Sequence, residues 1–382
     1  MSKRSVTAIV SSLVLLVAAC TTGPGASPKP SVPGSLGQNE GQVNLVAWAG
    51  YVEEAWRKPF EDATGCKVNA TLGNTSDEMV TLMKTGNYDG VSASGDASNR
   101  LIAAGDVAAV NLDLIPNYAG VFEGLKNKPH NTVNGVAYGV PHGRGANLLM
   151  WRTDVVTPAP DSWSVVFDTN SPYKGKVTAY DAPIYIADAA VYLMATKPDL
   201  KITNPYELDD AQFTAAVDLL KQQKTIIGKY WSLYTDEIAA FTAGDTVVGT
   251  TWQVIKNVLD GENVPVEVTL PKEGATGWSD TWMISSKAKN PNCMYAWMNY
   301  IISPSANAQA TVSFGEAPIS DAACAEAEKL SPGHCDTFHA KDEAYFSKVY
   351  YWATPQKDCG DSRGAVCKDF SEWVQAWTEI KG

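Results

Sequence analysis

VNLVAWAGYVEEAWRKPFEDATGCKVNATL, residues 43–72, holds the alternation that decides the fold. Val43 to Trp48 is an apolar run of strand length. Tyr51, Val52, Trp56 and Phe60 then recur at helical spacing, up to a stop at Gly65. Cys66 to Leu72 reads as a second strand, Asp77 to Lys84 as a helix and Tyr88 to Ala93 as a third strand. Strands that alternate with helices predict α/β layers around a largely parallel sheet. Val177 to Tyr180, Thr246 to Thr251 and Val266 to Leu270 look like strands of a second lobe. Helical patterns cover Glu207 to Lys224 and Tyr295 to Ile302. Between the two sets, Pro141 to Gly145 (PHGRG) breaks the pattern with two glycines, as a hinge or crossover would.

Upstream, Lys3 and Arg4 precede an apolar run from Ala8 to Ala19, too short to span a bilayer as a stable anchor. The run ends at Val17-Ala18-Ala19-Cys20, small residues before a cysteine, which predicts a secretory signal over residues 1–19. The segment also resembles the lipobox of bacterial lipoproteins, which implies a lipid on Cys20 and a membrane tether. Several acyl chains hold a protein to a membrane more firmly than one. Residues 20–42 are rich in Gly, Pro and Ser and cannot bury enough surface to fold, so they read as a flexible tether. What remains is more than one core usually holds, so two lobes are expected.

The formal charge is −12; without the two positive charges of Lys3 and Arg4 it is −14. Phosphate binding needs a basic face, so nucleic acid is excluded as a partner class. Twelve Trp and sixteen Tyr exceed what core packing commonly uses, which places some rings in a cleft. Without Cys20, six cysteines remain: Cys66, Cys293, Cys324, Cys335, Cys359 and Cys367. An even count in an oxidising compartment suggests three disulfides, although six cysteines allow about 15 pairings. Short-range closure favours Cys324–Cys335 and Cys359–Cys367, leaving Cys66–Cys293. His334 and His339 lie near Cys335, but no pair has zinc-finger or HExxH spacing, so no metal is expected.

No G-x-S-x-G elbow or P-loop is present, and Gly143-Arg144-Gly145 lacks the third glycine of a dinucleotide fingerprint. Four scattered histidines show no partner pattern. Neither an enzyme nor a cofactor is expected. Trp48 ends the first strand and Tyr51 opens the first helix, at the carboxyl edge where open α/β sheets hold ligands. Trp252 follows an apolar strand in the same way. Trp278 and Asp280 stand two residues apart, so an extended backbone turns ring and carboxylate to one side. A ring face beside a carboxylate suits an alkylammonium. The cation–π contact is worth about 0.5–2 kcal/mol, and a charge-assisted hydrogen bond adds roughly 1.5–3. Taken singly, each tryptophan also fits a core and Asp280 a solvated turn.

Six segments together resemble the extracellular solute-binding proteins of ABC importers, in the spermidine/putrescine-binding branch. They are LVAWAGYVEEAWRKPFEDATGCKV (Leu45 to Val68), MKTGNYDGV (Met83 to Val91), YGVPHGRGANLLMWR (Tyr138 to Arg152), SPYKGK (Ser171 to Lys176), TVVGTTW (Thr246 to Trp252) and LPKEGATGWSD (Leu270 to Asp280). They run in family order; the tail with Cys359 and Cys367 matches poorly. The resemblance implies a two-lobed, periplasmic-binding-protein-like (type II) fold that closes on its ligand and presents it to a membrane permease. Its discontinuous lobes would be 43–141 plus 279–324 and 142–278 plus 325–382. Cys66 and Cys293 would share the first lobe, which supports their pairing. A monomer is expected.

The resemblance also implies a ligand site of aromatic rings and carboxylates: Trp48, Tyr51, Trp252, Trp278 and Asp280 match family positions. Elsewhere the pattern departs. Asp96 stands where the family has an aromatic, and Glu316 after Gly315 where it has a tyrosine. Ala182 and Tyr185 replace two carboxylates, with Asp181 next door. Arg144 lies near a family tryptophan, and a guanidinium there would repel a polyamine but suit a carboxylate. If Arg144 instead pairs with Asp96, Asp181 or Glu316, it merely orders the hinge. The expected ligand is a polyamine gripped by Trp48, Tyr51, Trp252, Trp278 and Asp280, with Asp96 or Glu316 on a second ammonium and Tyr185 nearby. The alternative is a zwitterion such as 4-aminobutyrate or an amino-acid conjugate, its carboxylate on Arg144.

Overall fold

The computed structural model describes residues 33–382; the signal, Cys20 and most of the tether lie outside the described residues. Two five-stranded sheets carry the fold. In the first, the order is Lys67–Gly73, Gln42–Trp48, Gly90–Ala93, Thr281–Ile284, Gly139–Pro141. Its first three strands are parallel, and Thr281–Ile284 runs antiparallel to both neighbours. The second sheet repeats the scheme: Ile227–Trp231, Val177–Tyr180, Val248–Thr251, Leu148–Arg152, Val266–Thr269, with Leu148–Arg152 the antiparallel member. In each sheet the antiparallel fourth strand follows directly on a chain segment that has crossed from the other body.

Local sequence explains the elements around the site. The helix Glu54–Thr64 buries Trp56 and Phe60, one turn apart, and stops at Gly65, whose φ of 72° suits only glycine comfortably. Those rings join Val43, Leu45, Trp282 and Trp297 in the first core. Leu149, Trp163, Val177 and Tyr185 build the second core. It is completed by Trp373 and Trp377 of the final helix Phe370–Lys381, which opens on an Asp369/Glu372 capping box.

Three short strands pass between the bodies side by side: Gly145–Ala146 antiparallel to Ala275–Trp278, and Val349–Tyr351 parallel to it. A third cluster around Cys324, Cys335 and Phe346 packs against these crossing strands through Ala146 and Val349. Cys66–Cys293, Cys324–Cys335 and Cys359–Cys367 are disulfide-bonded. Among the described residues no helix is long and apolar enough to cross a membrane.

Candidate functional site

The carboxyl ends of the parallel strands in both sheets converge on one cavity of about 190 Å³. From the first sheet come Trp48, Asn74 just past Gly73, and Ser94 just past Ala93. From the second come Tyr180, Ser232 and Trp252, each at or just past a strand's end. Trp278 closes a crossing strand, Asp280 precedes Thr281–Ile284, and Trp352 follows Val349–Tyr351.

The rings brace one another. Tyr180 lies almost parallel to Trp352, centroids 5.7 Å apart at 17°, and 5.6 Å from Trp252. Trp252 meets Trp231 edge-on at 4.9 Å and donates its indole hydrogen to Asn147 Oδ1 at 2.8 Å. Asn147 in turn donates to Thr276 Oγ1, and Thr276 to the buried Asp188, at 2.9 Å. Trp278 packs perpendicular to Phe314 at 5.8 Å. A side chain at Gly145 would meet the Trp278 ring at 2.5 Å, so the glycine lets that ring lie on the crossing strand.

Asp280 is the one carboxylate lining the cavity among the described residues, and no Lys, Arg or His lines it. It is 3 % exposed. The Ser94 hydroxyl donates to Oδ1 and the Tyr51 hydroxyl to Oδ2, at 2.7 Å. Burial pushes its pKa up to about 6; the Ser94 and Tyr51 hydrogen bonds oppose the shift, and the charge of Asp96 adds to it.

Behind Asp280 lies a buried polar cluster. Tyr51 Oη is also 3.3 Å from Glu316 Oε2, but its single hydrogen goes to the nearer Asp280. Burial, then the Asp280 charge, push the Glu316 pKa well up, which favours its protonated form. His142 Nδ1 accepts from the Trp282 indole at 3.0 Å, so its hydrogen sits on Nε2, which is 3.4 Å from Glu316 Oε1. Burial lowers His142 to about 3, so the ring is neutral.

Trp48, Trp252, Trp278 and Asp280 therefore line one cavity, and five other expected site residues do not. Tyr51 and Glu316 stand behind Asp280: Tyr51 lies in the turn between Trp48 and the helix Glu54–Thr64 and enters the first core, and Glu316 is wholly buried just past the helix Pro304–Phe314. Asp96 is 6 % exposed, accepts the hydroxyl of Ser76, a lining residue, at 2.9 Å, and burial raises its pKa. Tyr185 is packed in the second core, where its hydroxyl accepts from Gln223 at 2.9 Å. Arg144 is wholly buried and turned away from the cavity. It donates to Ala340 O and Glu343 Oε1, both at 2.8 Å, and stacks 3.8 Å from the Phe346 ring centroid. Its partner is thus Glu343, in place of Asp96, Asp181 or Glu316. Sequence reasoning missed Tyr180, Trp352, Ser94 and Tyr234. Tyr180 ends a strand just as Trp48 does, so its signal was present.

A family profile of bacterial extracellular solute-binding proteins matches residues 55–332. The spermidine/putrescine-binding periplasmic protein 1 of Haemophilus influenzae is 24% identical over 287 residues, 72% of this chain and 74% of that protein. The putrescine/cadaverine-binding protein of Pseudomonas aeruginosa is 25% identical over 277 residues, 68% and 74% of the respective chains. The solved structure of a spermidine/putrescine ABC transporter substrate-binding protein from Streptococcus pneumoniae superposes with a TM-score of 0.70 at 16% identity. That match covers 89% of this chain and 97% of the other and establishes the two-lobed fold. With two sheets of one topology meeting at an aromatic cavity, the chain belongs to the bacterial extracellular solute-binding proteins.

Proposed function

We propose that this protein is the receptor of an ABC importer and captures amine cations of the polyamine class for delivery to a membrane permease. The observation that carries the reading is the aromatic cavity whose wall holds Asp280 and no basic side chain among the described residues. Its relatives named for spermidine, putrescine and cadaverine support the ligand class. In this reading Trp48, Tyr180, Trp252, Trp278 and Trp352 lie along the hydrocarbon, and Asp280 takes an ammonium. Closure removes water from the pair and strengthens it. The zwitterion alternative loses its carboxylate holder, since Arg144 is committed to Glu343 and Ala340.

The same reading takes residues 43–141 with 279–324 and 142–278 with 325–382 as the two moving bodies, with the third crossing shifted from Cys324 to the strand Val349–Tyr351. It also keeps a lipid on Cys20, a monomeric receptor and no catalytic step. Metabolic labelling with a radioactive fatty acid tests the anchor: label is expected on the unaltered chain and lost in Cys20→Ser.

The ligand class is tested by thermal unfolding of the full chain with putrescine, spermidine, spermine, 4-aminobutyrate and simple sugars. A ligand at a hundred times its Kd adds about 2.7 kcal/mol, a readily measured rise in Tm. Amines are expected to raise it; a rise with 4-aminobutyrate or sugars alone sinks the amine reading.

A further inference from the structure

A second cavity, of about 380 Å³, lies across the segment Val349–Thr354 from the first. Trp352 turns into the first cavity, while Tyr351 and Ala353 on either side of it line the second, as side chains alternate along an extended chain. Asn99, on the helix Gly95–Ala104, and His130 come to its wall from the first body. Tyr206 and Glu207, ahead of the helix Asp210–Gln223, come from the second, as does Asp358 beside the Cys359–Cys367 bond. The stretch from Val349 to Asp358 lies beyond residues 55–332, which the family profile matches, so part of this wall comes from outside the shared region.

Two polar atoms of the wall are buried with nothing to bond. His130 is 2 % exposed and its Nε2 has no hydrogen-bond partner, and the same is true of Asn99 Oδ1. Burial, then the charge of Lys128, lowers His130 to about 4, so the ring is neutral. Leaving such atoms unpaired is costly, so the cavity calls for a polar guest.

The charges on the wall are negative. Glu207 and Asp358 line it, and no Lys or Arg does. Arg363 donates to the carbonyl oxygen of Glu207 at 3.1 Å and pairs with Asp361, which leaves the Glu207 carboxylate to the cavity. Asp358 accepts the Gly360 amide hydrogen at 2.9 Å on one oxygen and keeps the other. Val349, Tyr206 and Tyr350 supply apolar surface between these groups. Acceptors on an aromatic wall without a base select a cation with a hydrocarbon body. Two carboxylates suit a guest with more than one ammonium.

We propose that this cavity is a second polyamine site. Ammonium groups of the guest meet Glu207 and Asp358. Its remaining N–H groups reach Asn99 Oδ1 and His130 Nε2, the latter in the tautomer that carries its hydrogen on Nδ1. The site is additional to the first cavity and does not depend on Asp280.

Isothermal titration of the full chain with spermidine tests it. Two binding events are expected. Asp280→Asn should weaken one at least tenfold and spare the other. The double variant Glu207→Gln/Asp358→Asn should do the reverse, with the Kd of the first event changed less than twofold. A single event that Asp280→Asn weakens and the double variant does not overturns the second site and leaves the receptor reading standing. A second event that survives in the double variant also overturns it, by placing that amine elsewhere on the acidic surface. A single event lost only in the double variant upholds this site and overturns the first cavity. Absence of any spermidine binding overturns both.

Discussion

Tyr51 donates to Asp280 at 2.7 Å from a ring that no solvent reaches, so the acid on the cavity wall is held from behind. The second donor, Ser94, takes the other carboxyl oxygen. Remaining lone pairs can serve a ligand without the carboxylate turning. Asp280→Asn is expected to weaken amine binding at least tenfold in calorimetry while leaving Tm unchanged or higher, because it removes a desolvated acid. Tyr51→Phe should weaken binding several-fold and move the acid's titration upward, since a donor to its charged form is lost.

The titration of Asp280 gives binding a definite pH dependence. An ammonium needs the carboxylate, and burial has moved the group's midpoint to about 6. Amine affinity is expected to be flat above that pH and to fall about tenfold per unit below it. Stability runs the other way. A group with a raised folded pKa stabilises the protein below its unfolded value and loses that contribution as pH rises through the folded one. His130 and His142, lowered by burial to about 4 and 3, act in the opposite sense over part of the range. The share of Asp280 is therefore read by difference: the stability of Asp280→Asn relative to the unaltered chain should grow from pH 4 to pH 7, then level off.

Arg144 and Glu343 separate stability from binding. The guanidinium is buried while Glu343 is about half exposed, so the two removals are unequal. Glu343→Ala leaves a buried charge short of its partner; Arg144→Ala leaves an acid that water can solvate. Both are expected to be destabilising in urea denaturation within about 1–3 kcal/mol, Glu343→Ala through its stranded charge and Arg144→Ala through the lost packing on Phe346, with amine Kd changed less than twofold. A large loss of affinity in Arg144→Ala would place the guanidinium at the ligand after all.

The Cys66–Cys293 bond joins the strand Lys67–Gly73 to the helix Pro291–Ile301, at the end of the first sheet away from the cavity. It closes a loop of 227 residues. Replacing both cysteines by serine should cost roughly 2–5 kcal/mol by denaturant midpoint, with amine affinity of the folded protein unchanged.

Sequence reading reached the strand ends and stopped at the choice of face. Val177 to Tyr180 is found where it was expected, and Gln42–Trp48, Val248–Thr251 and Val266–Thr269 lie within two residues of expectation. Trp48, Trp252, Trp278 and Asp280 share a wall because strand ends in this architecture converge, a rule visible in one dimension. Arg144, Glu316 and Tyr185 fall outside the cavity, because position along the chain does not tell which side of a layer a side chain enters. Trp352 was beyond reach. It arrives from the tail by way of Val349–Tyr351, whose pairing with Ala275–Trp278 depends on contacts more than seventy residues apart.

The three crossing strands are hydrogen-bonded edge to edge. In the two-body reading, that ribbon is the segment about which the bodies would turn. Trp278 sits on the ribbon itself, and Trp252 is tied to it through Asn147 and Thr276. A ligand that touches these two rings therefore touches side chains fixed to the strands that join the bodies.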